Sequence, residues 1–489
     1  MPKCRDGEAL RVPLEKACAR VEAAAGKEAG ARRRLTGVAT AYSCLPHYRI
    51  PVTGTDGRVT FPYHSETLLS EGDERATMAL VVLHGAYRDA DSYFCAMYDI
   101  QHEQGYRSAG EVLVLAPDFN YRKDFGVKPG IAHRTTPPAD CLPTTTTHGD
   151  PAGDAFWNTS RPSGDWRAGA PSSPESGHGR TVSSFAAGQP ASRWNCQTDH
   201  SLVSPLGQVM DTFVKLLSDE RLFPKLEAIT LLGHSAGGQF VQRYALMTVL
   251  PTAPRAGLSV RYVIANPSSF AYLDASRPVY SCGKYAAHSG VPHRGFSADE
   301  PGAFVCGDEA YNAWPYGLDG WVGGATVNQS IAIYPERDVS YLNGQNDTCN
   351  DGLPECDSEC WQRDNEESPC FRNRMDTRCP AMLTGPWRRA RGAAYMAFLR
   401  KFYGAPSRPI HRHYVVPGAG HDAMAVFESA AALSRVFGSG GNGSGREEIL
   451  EARALSGPRV RRRYPKIAAA LASEPGDDLE EELERGMER

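Results

Sequence analysis

The sequence has no long hydrophobic segment and no large excess of charge of either sign. Its longest apolar run, Met78–Leu83, has the length of a strand, whereas a membrane-spanning helix needs roughly 18 residues. The formal net charge is −4 over 489 residues, which does not favour nucleic acid as a partner. We find no internal repeat. These absences predict a globular protein with no transmembrane segment, and its 41% of hydrophobic residues suffice for a sizeable core.

An N-terminal secretory signal is also missing, because the first thirty residues are charged and contain no apolar core. Cysteine, in contrast, is plentiful. Five of the thirteen cysteines crowd one acidic, loop-like segment, 349–379: Cys349, Cys356, Cys360, Cys370 and Cys379. This pattern favours local disulfides over a zinc site, because the segment has no Cys-x-x-Cys pair and no histidine. The odd cysteine count leaves at least one free thiol.

Four glycosylation sequons are compatible with the same compartment: Asn158, Asn328, Asn346 and Asn442. We therefore expect a mature protein that is secreted or resides in an endomembrane lumen, with a truncated or mis-assigned start. A cytoplasmic location is the alternative, because the N-terminus carries no signal.

Short apolar runs that end in small, turn-forming residues recur along the chain. The segments "YRIPV" and "VTFPYHS" flank an Asp-Gly turn and predict a hairpin. Later runs are apolar at nearly every position, as in parallel strands that are covered on both faces. They are "TMALVVLHG", "EVLVLAPDF", "AITLLGHS", "RYVIANPSS", "VSYLNGQND" and "HYVVPGAG".

Helical patterns separate these runs, for example Met210, Phe213, Val214 and Leu217 before "AITLLGHS". Alternating strands and helices predict an α/β fold with a doubly wound, mostly parallel sheet. Ligands then bind at the carboxyl ends of the strands.

The predicted organisation is one large domain with additions. Residues 1–45 form an N-terminal extension, 46–437 the α/β domain, and 438–489 a Gly/Ser linker followed by a charged, disordered tail. Two insertions interrupt the domain. Residues 134–205 have the composition of a surface excursion, and the aromatic-rich residues 271–335 form either a lid or a packed surface loop.

One stretch, "AITLLGHSAGGQFVQRYALM", places Ser235 between an apolar strand and a helix. A serine at such a sharp strand-to-helix turn adopts a strained backbone, and glycines two residues before and two after avoid a clash with it. Gly233 and Gly237 occupy these positions, and Gly238 adds room. With this motif between a strand and a helix, the chain resembles the α/β-hydrolase superfamily over roughly residues 75–435.

The resemblance implies a Ser…Asp…His triad in that chain order. Its acid follows the strand after next from the nucleophile, where Asp347 is our choice and Asp351 the second candidate. Its histidine follows the last strand, where His421 comes after a glycine turn. Because Asn346 begins a sequon beside Asp347, we expect that site to carry no glycan.

The resemblance also implies an oxyanion hole. One donor would be the backbone N–H of Ala236, and the other the N–H of Ala86 or Tyr87, after the His84-Gly85 turn. This turn departs from the lipase-type His-Gly-Gly-Gly motif. We interpret His84 itself as structural.

A Ser-His-Asp hydrolase forms and then hydrolyses an acyl-enzyme, so the predicted reaction is cleavage of a carboxylic ester or a related acyl bond of a small-molecule or lipid-like substrate. It calls for no cofactor and no metal. The alternatives are a peptidase or thioesterase on the same fold, and a catalytically silent binding module. The stretches "GHSAGGQFVQRYA" and "ANPSS" also resemble a group of secreted, mainly microbial hydrolases. They imply no particular substrate, and the sequence identifies no substrate-binding residue.

Overall fold

The computed structural model describes residues 47–52, 59–104, 111–120, 166–168, 182–183, 207–279, 296–297, 310–321, 325–347, 375–376, 378–385, 387–404 and 410–438. Within these residues, one eight-stranded sheet dominates the fold. Its strands are β1 (His47–Pro51), β2 (Thr60–Ser65), β3 (Met78–Leu83), β4 (Val112–Pro117), β5 (Ala228–His234), β6 (Ser259–Ala265), β7 (Asp338–Gly344) and β8 (Arg412–Val416).

The strand order is β1-β2-β4-β3-β5-β6-β7-β8. Strands β1 and β2 form an antiparallel hairpin, and β2 pairs antiparallel with β4. All later pairings in this sheet are parallel. The predicted hairpin and the mostly parallel α/β sheet are therefore confirmed.

Eight α-helices flank the sheet in the described part of the chain. They are α1 (Ala90–Gln104), α2 (Val209–Leu217), α3 (Ala236–Met247), α4 (Val327–Ile333), α5 (Cys379–Met382), α6 (Arg388–Phe402), α7 (Ala423–Phe427) and α8 (Ala430–Phe437). Two short 3-10 turns, Trp166–Ala168 and Tyr334–Glu336, and two pairs of two-residue strands complete the described elements.

Strands β3 and β4 are apolar throughout because both faces of the sheet are covered there. Alternate residues of β3 point to opposite sides, so Ala79 and Val81 join one core while Leu80 and Val82 join the other. Helices α2, α3 and α6 supply the first core, and α1, α7 and α8 supply the second. This layering explains the continuous apolar runs in the sequence.

The described part of insertion 134–205 includes residues that enter the first core. Trp166 is buried and stacks on Phe119, with ring centroids 4.8 Å apart, and also contacts Phe240. Within the described parts of the chain, no helix combines the length and the apolar character that crossing a membrane requires.

Candidate active site

Ser235 lies at the sharp turn between β5 and α3, with φ 56° and ψ −114°. A positive φ is strained for a residue other than glycine, and such strain concentrates at functional sites. The neighbouring glycines make the turn sterically feasible. A Cβ at Gly233 would overlap the carbonyl of Gly237, and a Cβ at Gly237 would overlap that of Leu83. A Cβ at Gly238 would lie 2.6 Å from the carbonyl oxygen of Ala265.

The structure brings Ser235, His421 and Asp347 into one hydrogen-bonded chain. His421 Nε2 lies 2.9 Å from Ser235 Oγ, and His421 Nδ1 lies 2.7 Å from Asp347 Oδ2. The three residues follow β5, β8 and β7, whose carboxyl ends meet at one edge of the sheet. In this arrangement Nδ1–H donates to the carboxylate, and Nε2 accepts the serine proton.

A buried arginine completes the surroundings of the carboxylate. Arg388, at the start of α6, lies 3.4 Å from Asp347 Oδ1, and both side chains are at most 1% exposed. Burial alone raises the pKa of Asp347, but His421 and Arg388 outweigh it and hold that pKa below its ordinary value. Asp347 is therefore ionised at neutral pH.

Burial also lowers the pKa of His421, and the positive charge of Arg388 lowers it further, against the opposing effect of Asp347. The imidazole is consequently neutral at pH 7, which is the form that a general base needs.

A second imidazole lies against His421. The ring centroids of His234 and His421 are 4.7 Å apart, with 35° between their planes. His234 Nδ1 lies 3.0 Å from the hydroxyl of Tyr93. Burial holds the pKa of His234 well below, and that of Tyr93 well above, their ordinary values, so the phenol donates to a neutral ring. His234 thus packs beside His421 without a competing charge.

The predicted oxyanion donors lie around Ser235. Ala236 opens α3, and the first N–H groups of a helix have no intrahelical acceptor. The N–H groups of Ala86 and Tyr87 also have no acceptor among the described residues. The turn that carries them is close, since a Cβ at Gly85 would lie 3.9 Å from Ser235 Cβ. Their role in binding an oxyanion stays a prediction.

His84 uses both ring nitrogens within the fold. Nδ1 donates to the carbonyl of Gly85 at 2.9 Å, and Nε2 accepts the N–H of Phe119 at 3.0 Å. The bond to Phe119 joins the turn after β3 to the turn after β4, in keeping with a structural role.

Asn266, at the end of β6, fastens the turns that carry the acid and the histidine. Its side-chain oxygen accepts the N–H of Gly344 at 2.8 Å, and its amide donates to the carbonyl of Gly420 at 3.1 Å. The two turns also bond directly, because Asn346 N–H donates to Ala419 at 2.8 Å. The positions of Asp347 and His421 are therefore set by contacts outside the triad.

Some of the predicted residues and segments lie wholly or partly outside the described residues. Asp351 and the cysteines from Cys349 to Cys370 lie outside the described residues, so the choice between Asp347 and Asp351 rests on the contacts of Asp347. The described parts of 271–335 include Tyr272, Trp314 and Tyr316, all buried, and whether this segment forms a lid stays a prediction.

Some polar residues near the site had no clear sequence signal. Arg388 opens a helix, where an arginine ordinarily faces solvent. The buried Gln239, Gln242 and Arg243 in α3 had a weak signal, because they interrupt an otherwise apolar helix directly after the nucleophile. Among the described residues, no group of three or more His, Cys, Asp or Glu side chains could hold a metal ion.

Comparisons with known proteins give loose structural likeness only. No protein-family model matches the chain, and no curated protein matches it. Among solved structures it is similar to LpqC, a poly(3-hydroxybutyrate) depolymerase from Bordetella parapertussis, with 17% identity, a TM-score of 0.42, and coverage of 83% of this chain and 95% of that one. It is also similar to poly(aspartic acid) hydrolase-1 from Sphingomonas sp. KT-1, with 19% identity, a TM-score of 0.38, and coverage of 77% and 94%.

A third similar structure is the siderophore hydrolase EstB from Aspergillus nidulans, with 11% identity, a TM-score of 0.28, and coverage of 81% and 93%. At such identities and TM-scores, these structures say nothing about substrate. The sheet order and the elbow at Ser235 are the features that this chain shares with the α/β-hydrolase fold.

Proposed function

We propose that this protein, with its α/β-hydrolase fold, is a serine hydrolase that cleaves a carboxylic ester of a small-molecule or lipid-like substrate. The observation that carries the proposal is the hydrogen-bonded chain Ser235–His421–Asp347, which starts from a strained serine. A serine in an ordinary turn needs neither the strain nor the ordered partners.

The geometry supports a two-step reaction. His421 Nε2 takes the hydroxyl proton as Ser235 Oγ attacks the acyl carbon, and Asp347 stabilises the imidazolium that forms. The N–H groups of Ala236 and of Ala86 or Tyr87 donate to the oxyanion. His421 then protonates the leaving alcohol, and water, activated by the same histidine, hydrolyses the acyl-enzyme.

Fluorophosphonate labelling of the folded protein, read by peptide mass spectrometry, tests the nucleophile. We expect the label on the peptide that carries Ser235, and none in Ser235→Ala. An unlabelled, correctly folded wild-type protein would reject the proposal and favour a silent binding module.

The bond type is tested with ester, amide and thioester substrates that share one acyl group. We expect the ester to have the highest kcat/KM relative to its uncatalysed hydrolysis. A higher relative rate on the amide or the thioester would instead assign a peptidase or a thioesterase.

We further propose that the protein functions in an oxidising compartment. Cys95 and Cys379 are both disulfide-bonded, and Cys379 belongs to the cysteine-rich segment. Alkylation of the unreduced, unfolded protein, followed by mass measurement, tests this: we expect few modified cysteines, and thirteen would contradict it.

A further inference from the structure

A small polar pocket opens beside α3, next to the candidate active site. Its cavity volume is about 10 Å³, far below that of sites for whole drug-sized ligands, so it fits only a small group. The polar side chains that line it are Arg167, Gln239, Arg243, Ser269, Asp376 and Arg378.

Arg243 is a buried cation whose hydrogen bonds all end on neutral oxygens. It is 2% exposed, and it donates to the carbonyls of Pro315 and Arg167 and to Ser269 Oγ. A guanidinium has five N–H groups, so these three bonds leave two. Burial lowers the pKa of Arg243 to about 10, which leaves it charged at pH 7. A buried charge is costly unless an opposite charge lies close.

The carboxylate of the pocket, Asp376, is already paired with another arginine, Arg378. Arg378 donates to both oxygens of Asp376, at 2.8 and 2.7 Å, and the hydroxyl of Tyr316 donates to Oδ2 at 2.7 Å. Asp376 therefore has little remaining capacity to neutralise Arg243.

The serine of the pocket, Ser269, has a hydroxyl group that can still donate a hydrogen bond. Ser269 Oγ accepts from Gln239 Nε2 at 2.7 Å and from Arg243 at 2.9 Å. Its own O–H is consequently not used in either bond and can donate to a ligand. The pocket thus offers N–H and O–H donors and a net positive charge, which is complementary to an anion.

The pocket lies on the same helix as the candidate nucleophile. Gln239 and Arg243 follow Ser235 by four and eight residues, which places them roughly 6 and 12 Å along α3. The loop that ends β6 borders both sites, because Ser235 N–H donates to Ala265 and Ser269 lies four residues further on. The pocket and the candidate nucleophile are therefore neighbours along one helix and one loop.

We propose that this pocket binds the carboxylate of an acyl substrate that has an ester at one end and a carboxylate at the other, with Arg243 and Ser269 as the donors. The proposal rests on the proposed function, since it takes Ser235 as the nucleophile. Its chemical class is the monoesters of dicarboxylic acids.

The test compares p-nitrophenyl monoesters of glutaric, adipic and suberic acid with the same esters capped by a methyl group, which removes the negative charge. For at least one chain length, we expect kcat/KM to be about tenfold higher for the charged ester, as for a charge-assisted hydrogen bond. Arg243→Met should abolish this preference, and Ser269→Ala should reduce it. The exposed Arg221, changed to Gln, is the matched control and should retain it.

Ser269→Ala removes only a hydroxyl, and so provides a test if Arg243→Met does not fold. A wild-type protein that hydrolyses the neutral esters and takes the fluorophosphonate label, but shows no charge preference, overturns this inference and leaves the proposed function standing. A preference that both variants retain also overturns it. If neither label nor ester turnover is seen, both proposals fall.

Discussion

Arg388 brings a full positive charge to the candidate triad from the side opposite His421. Its guanidinium and the imidazole share one carboxylate, since Asp347 Oδ1 faces Arg388 and Oδ2 faces His421. The arginine keeps Asp347 ionised, but it also disfavours the protonated form of His421. Asp347 thus orients His421 as a base, while Arg388 makes that base weaker.

Replacing Arg388 with Gln should therefore raise the pKa of His421, because a positive charge that opposes protonation is removed. The acid limb of kcat/KM against pH should move to higher pH than in the wild type, where the midpoint should lie below the usual value of about 6.5. Ester turnover from pH 4.5 to 8 measures this shift. Arg388→Lys keeps the charge and serves as the control, and an identical limb in all three proteins would contradict the prediction.

The three residues that the structure brings together each had a local signal in the sequence. Ser235 and His421 each stand beside glycines at a strand end, and Asp347 follows an apolar strand. Arg388 had no such signal, because it is separated from Asp347 by 41 residues and is buried only through tertiary packing. Ser269 and Arg243 likewise meet only when the loop after β6 folds against α3.

The two last helices have comparable N-terminal caps but different neighbours. Asp422 caps α7 by accepting the N–H groups of Met424 and Ala425, and it directly follows His421. Ser429, eight residues after His421, caps α8 by accepting the N–H of Ala432. Both caps satisfy backbone donors that a helix leaves unpaired.

We expect Asp422→Ala and Ser429→Ala each to lower the free energy of unfolding by about 1 kcal/mol. Only Asp422→Ala should also lower kcat, because the turn that orients His421 then loses its anchor. Urea denaturation and ester turnover give the two quantities. Equal losses of kcat in both variants would show that α7 has no special role in orienting the histidine.

Element-scale prediction succeeded for the central strands because burial on both faces leaves a continuous apolar run. The order of the strands was not predicted, since a run of apolar residues in β4 does not say that β3 will separate it from β5. The bonds of Asn266 to the turns after β7 and β8 were equally hidden, because they depend on that order.

The molecule as a whole buries several histidines in neutral form. Burial lowers the pKa of His411 and of His413 to about 4, and it lowers those of His234 and His421 as well. In the unfolded chain these groups bind protons below about pH 6.5. Between pH 6.5 and 4 the unfolded state therefore binds more protons, and stability falls as the pH falls through this window.

His411 is the best single test, because it is 3% exposed and its Nε2–H donates to the Tyr334 carbonyl. His411→Gln retains a donor but cannot be protonated, so the loss of stability between pH 7 and pH 4.5 should shrink by about 2.4 kcal/mol. Urea unfolding at both pH values measures this difference. An unchanged loss in His411→Gln would contradict the prediction.

The bonds that Asn266 makes to Gly344 and Gly420 use a side chain and backbone groups, but none of the three reacting side chains. The residues that form the frame of the site, meaning the bonded turns around it, are thus different from the residues that react. Mutation can therefore exchange or delete the reactive groups while the folded frame persists. A descendant of this chain could acquire a different nucleophile, or lose turnover and retain binding, without first having to evolve a new scaffold.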